Sequence, residues 1–219
     1  MNRVIAHLLS AVGHPLFILS YVLLLMLSIN PYAFGVRSLT EQRAVLLLMG
    51  VFFTTALIPG IGVALMKLLG FAKSWQLADK QERIGPFILT GVFYIWLFKN
   101  LHSAGQTPII YNAFVLGATI SLFLCFIINI FEKISVHAAG VSGFVTMLVI
   151  LPFKWPEAGH QVHFAGFELS WPIIIAIGSL LAGAIGAARL ALGAHTPTEL
   201  YRGYLAGIIS VVVAVLLLT

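Results

Sequence analysis

The sequence predicts an all-α integral membrane protein, a polytopic bundle of six or seven transmembrane helices. Hydrophobic residues make up 60% of the 219 positions, whereas soluble domains are about half apolar, and the mean hydropathy is +1.05. Only 9% of the residues are charged. The apolar residues also fall into runs of about 20, the length with which an α-helix crosses the ~30 Å hydrocarbon core of a bilayer.

Seven runs are long enough to be candidate spans. They cover residues 4–29, 44–70, 87–101, 109–131, 138–153, 172–193 and 199–218. The third and fifth runs are short, so we expect each to extend into its flanking turns, to tilt differently or to form a re-entrant hairpin with a neighbour. Pro15 and the Pro59-Gly60 pair should kink the first two helices.

The whole chain, residues 1–219, is interpreted as a single membrane domain. Residues 1–70 form the N-terminal helices, residues 71–205 carry the polar motifs described below, and residues 199–219 form the last helix. Between the fifth and sixth helices, near-alternating apolar residues predict a small interfacial β-hairpin over 161–171. Its apolar residues flank Ala165-Gly166 and are Val162, Phe164, Phe167, Leu169 and Trp171.

The sixth helix carries a row of small residues four positions apart, at Ser179, Gly183 and Ala187. Such rows let membrane helices approach closely, so we expect this ridge to pack against a neighbouring helix.

The order of crossings predicts which loops share a side of the membrane. If all seven segments span, the N-terminus and the loops around 71–86, 132–137 and 189–199 lie on one face. Residues 30–43, 102–108 and 154–171 lie on the other face. A re-entrant pair formed by the third and fourth segments would leave this grouping unchanged.

The charge and cysteine content restrict the possible partners. The formal charge of +5 comes from twelve basic residues scattered among apolar runs, without the dense basic patch of a nucleic-acid interface. We therefore expect no nucleic acid and a bilayer with anionic lipid as the partner. Cys125 is the single cysteine, which excludes an intrachain disulfide. The first apolar run has no convincing cleavage site, so we interpret it as a retained helix rather than a signal peptide.

The stretch from Arg189 to Glu199 concentrates polar chemistry in an otherwise apolar chain. It places Arg189, His195 and Glu199 within eleven residues, and ionisable groups near lipid are costly enough to indicate function. Gly193 suits a helix end, and Thr196 and Pro197 suit the start of the next helix, so a tight turn should present His195. Each residue also has a purely structural interpretation: Glu199 in a capping box, Arg189 as a snorkelling cation and His195 as a turn residue.

Two further polar clusters lie on the same predicted face. Ser135 should cap a helix whose N-terminal N–H groups offer an anion site, and His137 follows in its first turn. The segment 79–86 contains Lys80 and Arg83, and its alternative interpretation is a solvated loop with ion pairs.

These residues resemble the type 2 phosphatidic acid phosphatase family, the lipid phosphate phosphatases related to vanadium haloperoxidases. The family's three motifs read Lys-x6-Arg-Pro, Pro-Ser-Gly-His and Ser-Arg-x5-His-x3-Asp. The third is matched by Arg189 and His195 at unchanged spacing, with Ala188 for the serine and Glu199 for the aspartate. The resemblance covers residues 80–205. In the second motif, Ser135 and His137 match, whereas Ile134 and Val136 replace the proline and the glycine. In the first motif, the residue types are right but the spacing is wrong, at Lys80, Arg83 and Pro86.

The resemblance implies an enzyme that hydrolyses a membrane lipid phosphate. It implies that His195 attacks phosphorus, Glu199 orients His195, and His137 protonates the leaving alkoxide. By the same resemblance, the phosphoryl oxygens are held by Arg189, Ser135, Lys80 and Arg83. Positioning and charge neutralisation are what phosphoryl transfer chiefly needs, so no metal and no cofactor is expected.

The sequence leaves several alternatives open. The same cations would serve a non-catalytic lipid-phosphate binding or transport protein. His7 with His14, or His160 with His163, has a spacing that haem or a metal could use, although interfacial or core histidines are the default interpretation. We expect a protein of the bacterial inner membrane. The excess of basic residues on the predicted site face favours a cytoplasmic location for that face, whereas the resemblance favours the outside, so both orientations stay open.

Overall fold

The computed structural model describes residues 1–71, 77, 79–159, 161–164 and 167–219. Six helices in this part of the chain are long and apolar enough to cross a membrane, and a bent pair at the N-terminus makes up a seventh span if it is counted as one. The predicted all-α polytopic bundle is therefore confirmed.

Nine α-helices and one hairpin are described. The helices are α1 Arg3–Val12, α2 Pro15–Ile29, α3 Gln42–Phe52, α4 Ile58–Leu68, α5 Ile84–Ala104, α6 Ile109–Phe131, α7 Val136–Lys154, α8 Trp171–Ala191 and α9 Pro197–Leu218. The strands are β1 Gln161–Phe164 and β2 Phe167–Ser170. Short 3₁₀ turns lie at Pro31–Phe34, Gln81–Arg83 and Pro156–Ala158, and a π-helical turn lies at Phe53–Leu57.

The first predicted segment is broken, as Pro15 indicated. Helices α1 and α2 meet at an angle of 59°. Gly13 ends α1, and His14 caps α2 by accepting a hydrogen bond at Nδ1 from the backbone N–H of Leu16. Pro15 then takes the first helical position, where its missing N–H costs nothing. The break turns α1 away from the direction of α2.

The second predicted kink takes the form of a π-helical turn. Phe53–Leu57 joins α3 to α4, and residues Gln42–Leu68 still qualify as one span. Pro59 lacks the N–H that would bond to the carbonyl of Thr55, which favours a local rearrangement of the helix at this point. The hydroxyls of Thr54 and Thr55 donate to the carbonyls of Gly50 and Val51. These side chains satisfy backbone acceptors inside the span.

The two short predicted runs are complete helices in the structure. Helix α5 has 21 residues and ends at Gly105 in the left-handed conformation, with φ 60°. Helix α7 has 19 residues and begins after Ser135, whose Oγ accepts from the N–H of Ala138. Both pass as full spans, so the structure has extended helices where a re-entrant pair was the alternative.

The predicted hairpin forms between α7 and α8. Strands β1 and β2 pair antiparallel, with Val162 opposite Leu169, while Ala165-Gly166 lie outside the described residues. Val162 is buried in the main core of the bundle. Trp171 begins α8 instead of ending the hairpin, and its Nε1 donates to the carbonyl of Gly159.

Helix α9 packs against both α6 and α7. Gly203 and Gly207 face the backbone of α7 so closely that a Cβ atom on either would collide with the carbonyl of Ser135 or Ala139. The hydroxyl of Ser142 donates to the carbonyl of Tyr204 across the same contact. The glycines thus bring the start of α7 against the start of α9, where the predicted motif residues lie.

Candidate functional site

Hydrogen bonds join three loops of the predicted site face, which lie around residues 79–86, 132–137 and 189–199. The guanidinium Nη1 of Arg83 donates to the carbonyl of Ile134 over 2.9 Å. The ammonium group of Lys133 donates to the carbonyl of Ala194 over 2.9 Å, and the N–H of Ser135 donates to the carbonyl of Glu199 over 3.2 Å. These contacts bring the three loops together at one end of the bundle.

A cavity of about 500 Å³ lies beneath these loops. Its polar end is lined by Ser10, His14, Arg83, His137, Arg189 and His195. Its apolar end lies deeper in the bundle and is lined by residues that include Leu19, Phe114, Ala118, Leu122 and Val211. A cavity of this volume and mixed lining is typical of a small-molecule binding site.

His195 is held in the turn between α8 and α9. Gly193 takes a left-handed conformation, with φ 64°, and the hydroxyl of Thr196 accepts from the N–H of Glu199 at the start of α9. One turn of helix therefore brings Glu199 under His195, and Nδ1 of His195 lies 2.7 Å from Oε2 of Glu199. A carboxylate only accepts, so Nδ1 carries the hydrogen and Nε2 of a neutral ring keeps its lone pair. That lone pair makes Nε2 a nucleophile.

The surroundings of His195 favour the neutral ring. The side chain is nearly buried, and burial lowers its pKa to about 4. The hydrogen bond to Glu199 opposes this shift, whereas the charges of Arg83, Arg189 and Lys133 add to it. His195 is therefore unprotonated at neutral pH and becomes protonated only as the pH falls toward 4.

His137 lies in the first turn of α7 and faces the N-terminal helices. Its Nε2 lies 3.2 Å from the backbone carbonyl of Ser10. A carbonyl accepts, so Nε2 carries a hydrogen and Nδ1 is the nitrogen left for a ligand. The ring of His14 stands edge-on to that of His137, with the ring centroids 5.1 Å apart. The break between α1 and α2 thus holds His137 in place.

Two guanidinium groups line the polar end. Arg83 is 8% exposed and is anchored by the carbonyls of Leu77 and Ile134. Arg189 comes from the last turn of α8, and its buried Nε has no hydrogen-bond partner among the described residues. Lys133 lies close enough to Arg83 to feel its charge, and burial together with that charge lowers the pKa of Lys133. This concentration of positive charge suits an anion such as a phosphate group.

Some of the predicted site residues line the cavity, one reaches it through another side chain, and two have other hydrogen-bond partners. Arg83, His137, Arg189 and His195 line it together, and Glu199 reaches it through His195. Ser135 is fully buried and serves as the cap of α7. The ammonium group of Lys80 donates to the carbonyls of Ile130 and Phe131, at the end of α6.

Sequence reasoning missed the contribution of the N-terminal helices to this site. Ser10 and His14 line the same cavity as His137 and Arg189, although more than 120 residues separate them from His137. The available signal was the spacing of His7, Ser10 and His14, which places all three on one helical face. No group of three or more metal-binding side chains is found among the described residues, and His160 lies outside them.

Comparison of the chain with protein-family models, with curated proteins and with solved structures finds no match.

Proposed function

We propose that the protein is an integral-membrane lipid phosphatase that hydrolyses a phosphate monoester or pyrophosphate of a membrane lipid through a phosphohistidine intermediate. One observation carries the proposal: the 2.7 Å pair of His195 and Glu199 shares a cavity wall with His137, Arg83 and Arg189. The cavity continues from this polar end into an apolar interior, which fits a phosphate head group attached to a hydrocarbon chain. The membrane that we propose is the bacterial inner membrane.

The first step of the proposed reaction forms a bond between Nε2 of His195 and phosphorus. The bond from phosphorus to the leaving oxygen breaks. His137, which takes up a proton on Nδ1 when the phosphate anion binds beside it, gives that proton to the leaving oxygen. The carboxylate of Glu199 stabilises the positive charge that develops on His195. Arg83 and Arg189 neutralise the charge on the phosphoryl oxygens, which is the main requirement of phosphoryl transfer.

The second step returns the protein to its starting state. His137, now neutral, takes a proton from a water molecule that attacks the phosphohistidine. The bond between phosphorus and His195 breaks, and inorganic phosphate leaves. His137 ends protonated and His195 neutral, which balances the two steps.

The test is release of orthophosphate from a panel of lipid phosphates by the purified protein in detergent. We expect the wild type to release phosphate and both His195→Ala and His137→Ala to abolish release while lipid binding persists. His102→Ala is the matched control, because His102 is exposed at the opposite end of α5. The alternative, a non-catalytic lipid-phosphate binding or transport protein, is favoured if the wild type releases none and both variants retain lipid flux in vesicles.

A further inference from the structure

The cavity beneath the loops has a floor, which is formed by Tyr94, Phe114 and Val211. These are the residues of α5, α6 and α9 that line the cavity farthest from the loops. One turn beyond them, each helix contributes a buried residue of the main core, and these residues are Leu97, Tyr111 and Val215. The hydroxyl of Tyr111 also donates to the carbonyl of Leu19 over 3.3 Å, which joins α6 to α2 at the floor. Packed side chains therefore close the cavity at this depth.

The depth of the cavity is close to the thickness of one lipid leaflet. Arg83 lines the polar end, and Tyr94 follows eleven residues later along α5. At the α-helical rise of about 1.5 Å per residue, this separation is about 16 Å. The hydrocarbon core of a bilayer is about 30 Å thick, so each of its two leaflets is about 15 Å deep. A phosphate held at Arg83 thus leaves room for a hydrocarbon chain of about one leaflet before the floor is reached.

The wall between the polar end and the floor suits a hydrocarbon chain. Its apolar side chains include Phe87, Ala118 and Leu122. The hydroxyl side chains of Thr90 and Ser121 interrupt this apolar surface. A charged group placed at this level would lose its hydration without gaining a charged partner, which is costly, whereas a hydrocarbon chain has no such cost.

Gly60 marks a part of the wall where the cavity is empty next to a helix backbone. It comes from α4, and a Cβ atom added to it would meet no atom within 4 Å. Gly183 of α8 also has open space beside it, but it lies on the exposed side of its helix and does not line the cavity. The two glycines therefore allow the same side chain to be added inside the cavity or outside it without a collision.

We propose that this cavity selects its lipid by chain length, with the floor at Tyr94, Phe114 and Val211 setting the longest hydrocarbon chain that fits while the phosphate lies between Arg83 and Arg189. The inference rests on the proposed function for the identity of the head group. It narrows the ligand to lipid phosphates with chains of ordinary membrane length, about one leaflet, and excludes polyprenyl phosphates whose chains are much longer.

The test compares kcat/KM for three alkyl phosphates that share one head group: octyl, hexadecyl and docosyl phosphate, each at a fixed mole fraction in mixed micelles. Overpacking by extra methylene groups costs about 1–3 kcal/mol, so we expect the wild type to be at least about tenfold less efficient with docosyl than with hexadecyl phosphate. Octyl phosphate meets no steric limit, because its chain is the shortest.

Two variants should move this limit in opposite directions. Phe114→Ala removes a ring from the floor and should raise the efficiency with docosyl phosphate relative to hexadecyl phosphate at least about fivefold, and Phe114→Leu is a milder version that disturbs the core less. Gly60→Leu fills part of the cavity and should lower the efficiency with hexadecyl phosphate about tenfold, while that with octyl phosphate changes by less than about threefold.

Matched controls make the same changes on the lipid-facing surface. Phe153→Ala removes a ring that is 81% exposed, and Gly183→Leu adds a leucine on the exposed side of α8. Both should leave the ratios among the three substrates unchanged. A loss in Gly60→Leu that is equal for octyl and hexadecyl phosphate would overturn the inference, because it would show a general disturbance of the site.

The wild type separates this inference from the phosphatase function. Equal efficiency with hexadecyl and docosyl phosphate overturns the chain-length limit, because the longer chain then leaves the cavity for the surrounding lipid, and the phosphatase function stands. If no substrate releases phosphate, the midpoint of thermal unfolding is measured with hexadecylphosphonate and docosylphosphonate, since a ligand stabilises the folded state that binds it. Stabilisation by the shorter phosphonate alone supports the limit although the phosphatase function fails. Equal stabilisation by both, or by neither, overturns the limit as well.

Discussion

At the scale of single residues, the chemistry of His195 depends on two neighbours with opposite effects. Burial and three nearby cations keep the ring neutral, while the carboxylate of Glu199 orients it through Nδ1. Glu199 has one more methylene than the aspartate of the motif that it resembles, and its Oε2 lies 2.7 Å from Nδ1 of His195. The longer side chain therefore still reaches the ring.

Glu199→Gln tests whether this carboxylate acts in catalysis or in capping. We expect kcat to fall on the order of 100-fold or more, because the amide keeps the shape but loses the charge that would stabilise the proposed phosphohistidine. The midpoint of thermal unfolding should change little, since the cap of α9 is the hydroxyl of Thr196. Thr196→Ala is the matched control and should cost about 1 kcal/mol of stability with the carboxylate intact. Equal losses of stability in the two variants would favour the capping role for Glu199.

Variants of Arg83 and Lys80 distinguish a role in the proposed phosphate binding from a role in capping a helix. Arg83 lines the cavity, whereas Lys80 caps the carbonyls at the end of α6. We expect Arg83→Gln to lower kcat/KM about 10- to 100-fold through loss of a charged donor. Lys80→Gln should cost about 0.3–1 kcal/mol of stability and leave turnover almost unchanged. Steady-state kinetics and thermal unfolding check both, and a similar kinetic loss in the two variants would place Lys80 in the binding machinery.

At the scale of helices, glycines decide which neighbours approach closely. The predicted ridge of Ser179, Gly183 and Ala187 is exposed, and a Cβ on Gly183 would meet open space. That prediction is wrong for packing within the chain, because the sequence does not show which face of α8 meets the bundle. The close approaches of α8 occur instead at Gly178, next to Leu148, and Gly186, next to Tyr204.

Gly207→Leu and Gly183→Leu are a matched pair that tests this packing. At position 207 the side chain would meet the carbonyl of Ala139 and the hydroxyl of Ser142, so α7 and α9 must separate. We expect a loss of about 1–3 kcal/mol in stability and a loss of phosphate release, since His137 and His195 move apart. Gly183→Leu should retain both. Thermal unfolding in detergent and the phosphate assay measure the two effects, and a harmless Gly207→Leu would contradict the close helix contact.

At the scale of the whole molecule, the bundle has two polar ends with different structures. One end carries the interlocked loops and the cavity. The other end carries the hairpin and a small pocket lined by residues on both sides of Gly35 and Gln106. The number of crossings fixes which loops belong to which end, whichever end faces the cytoplasm.

Cysteine labelling tests this arrangement directly. Leu69 is 72% exposed at the site end and Gln106 is exposed at the other, while the native Cys125 is fully buried. We expect Leu69→Cys and Gln106→Cys to react with a membrane-impermeant maleimide from opposite sides of the membrane. The wild type, labelled in parallel, should show no background. Labelling of both variants from the same side would contradict the assigned crossings, and the reactive side of Leu69→Cys gives the orientation of the site.

The sequence by itself determined the bundle and the local part of the site. Apolar runs set the spans because the bilayer fixes helix length, and the spacing from Arg189 to Glu199 set the turn that pairs His195 with its carboxylate. Only the tertiary structure decided the rest. The side chain of Lys80 contacts the end of α6, and Ser10 and His14 contact His137. Such contacts link distant segments through packing that no local pattern encodes.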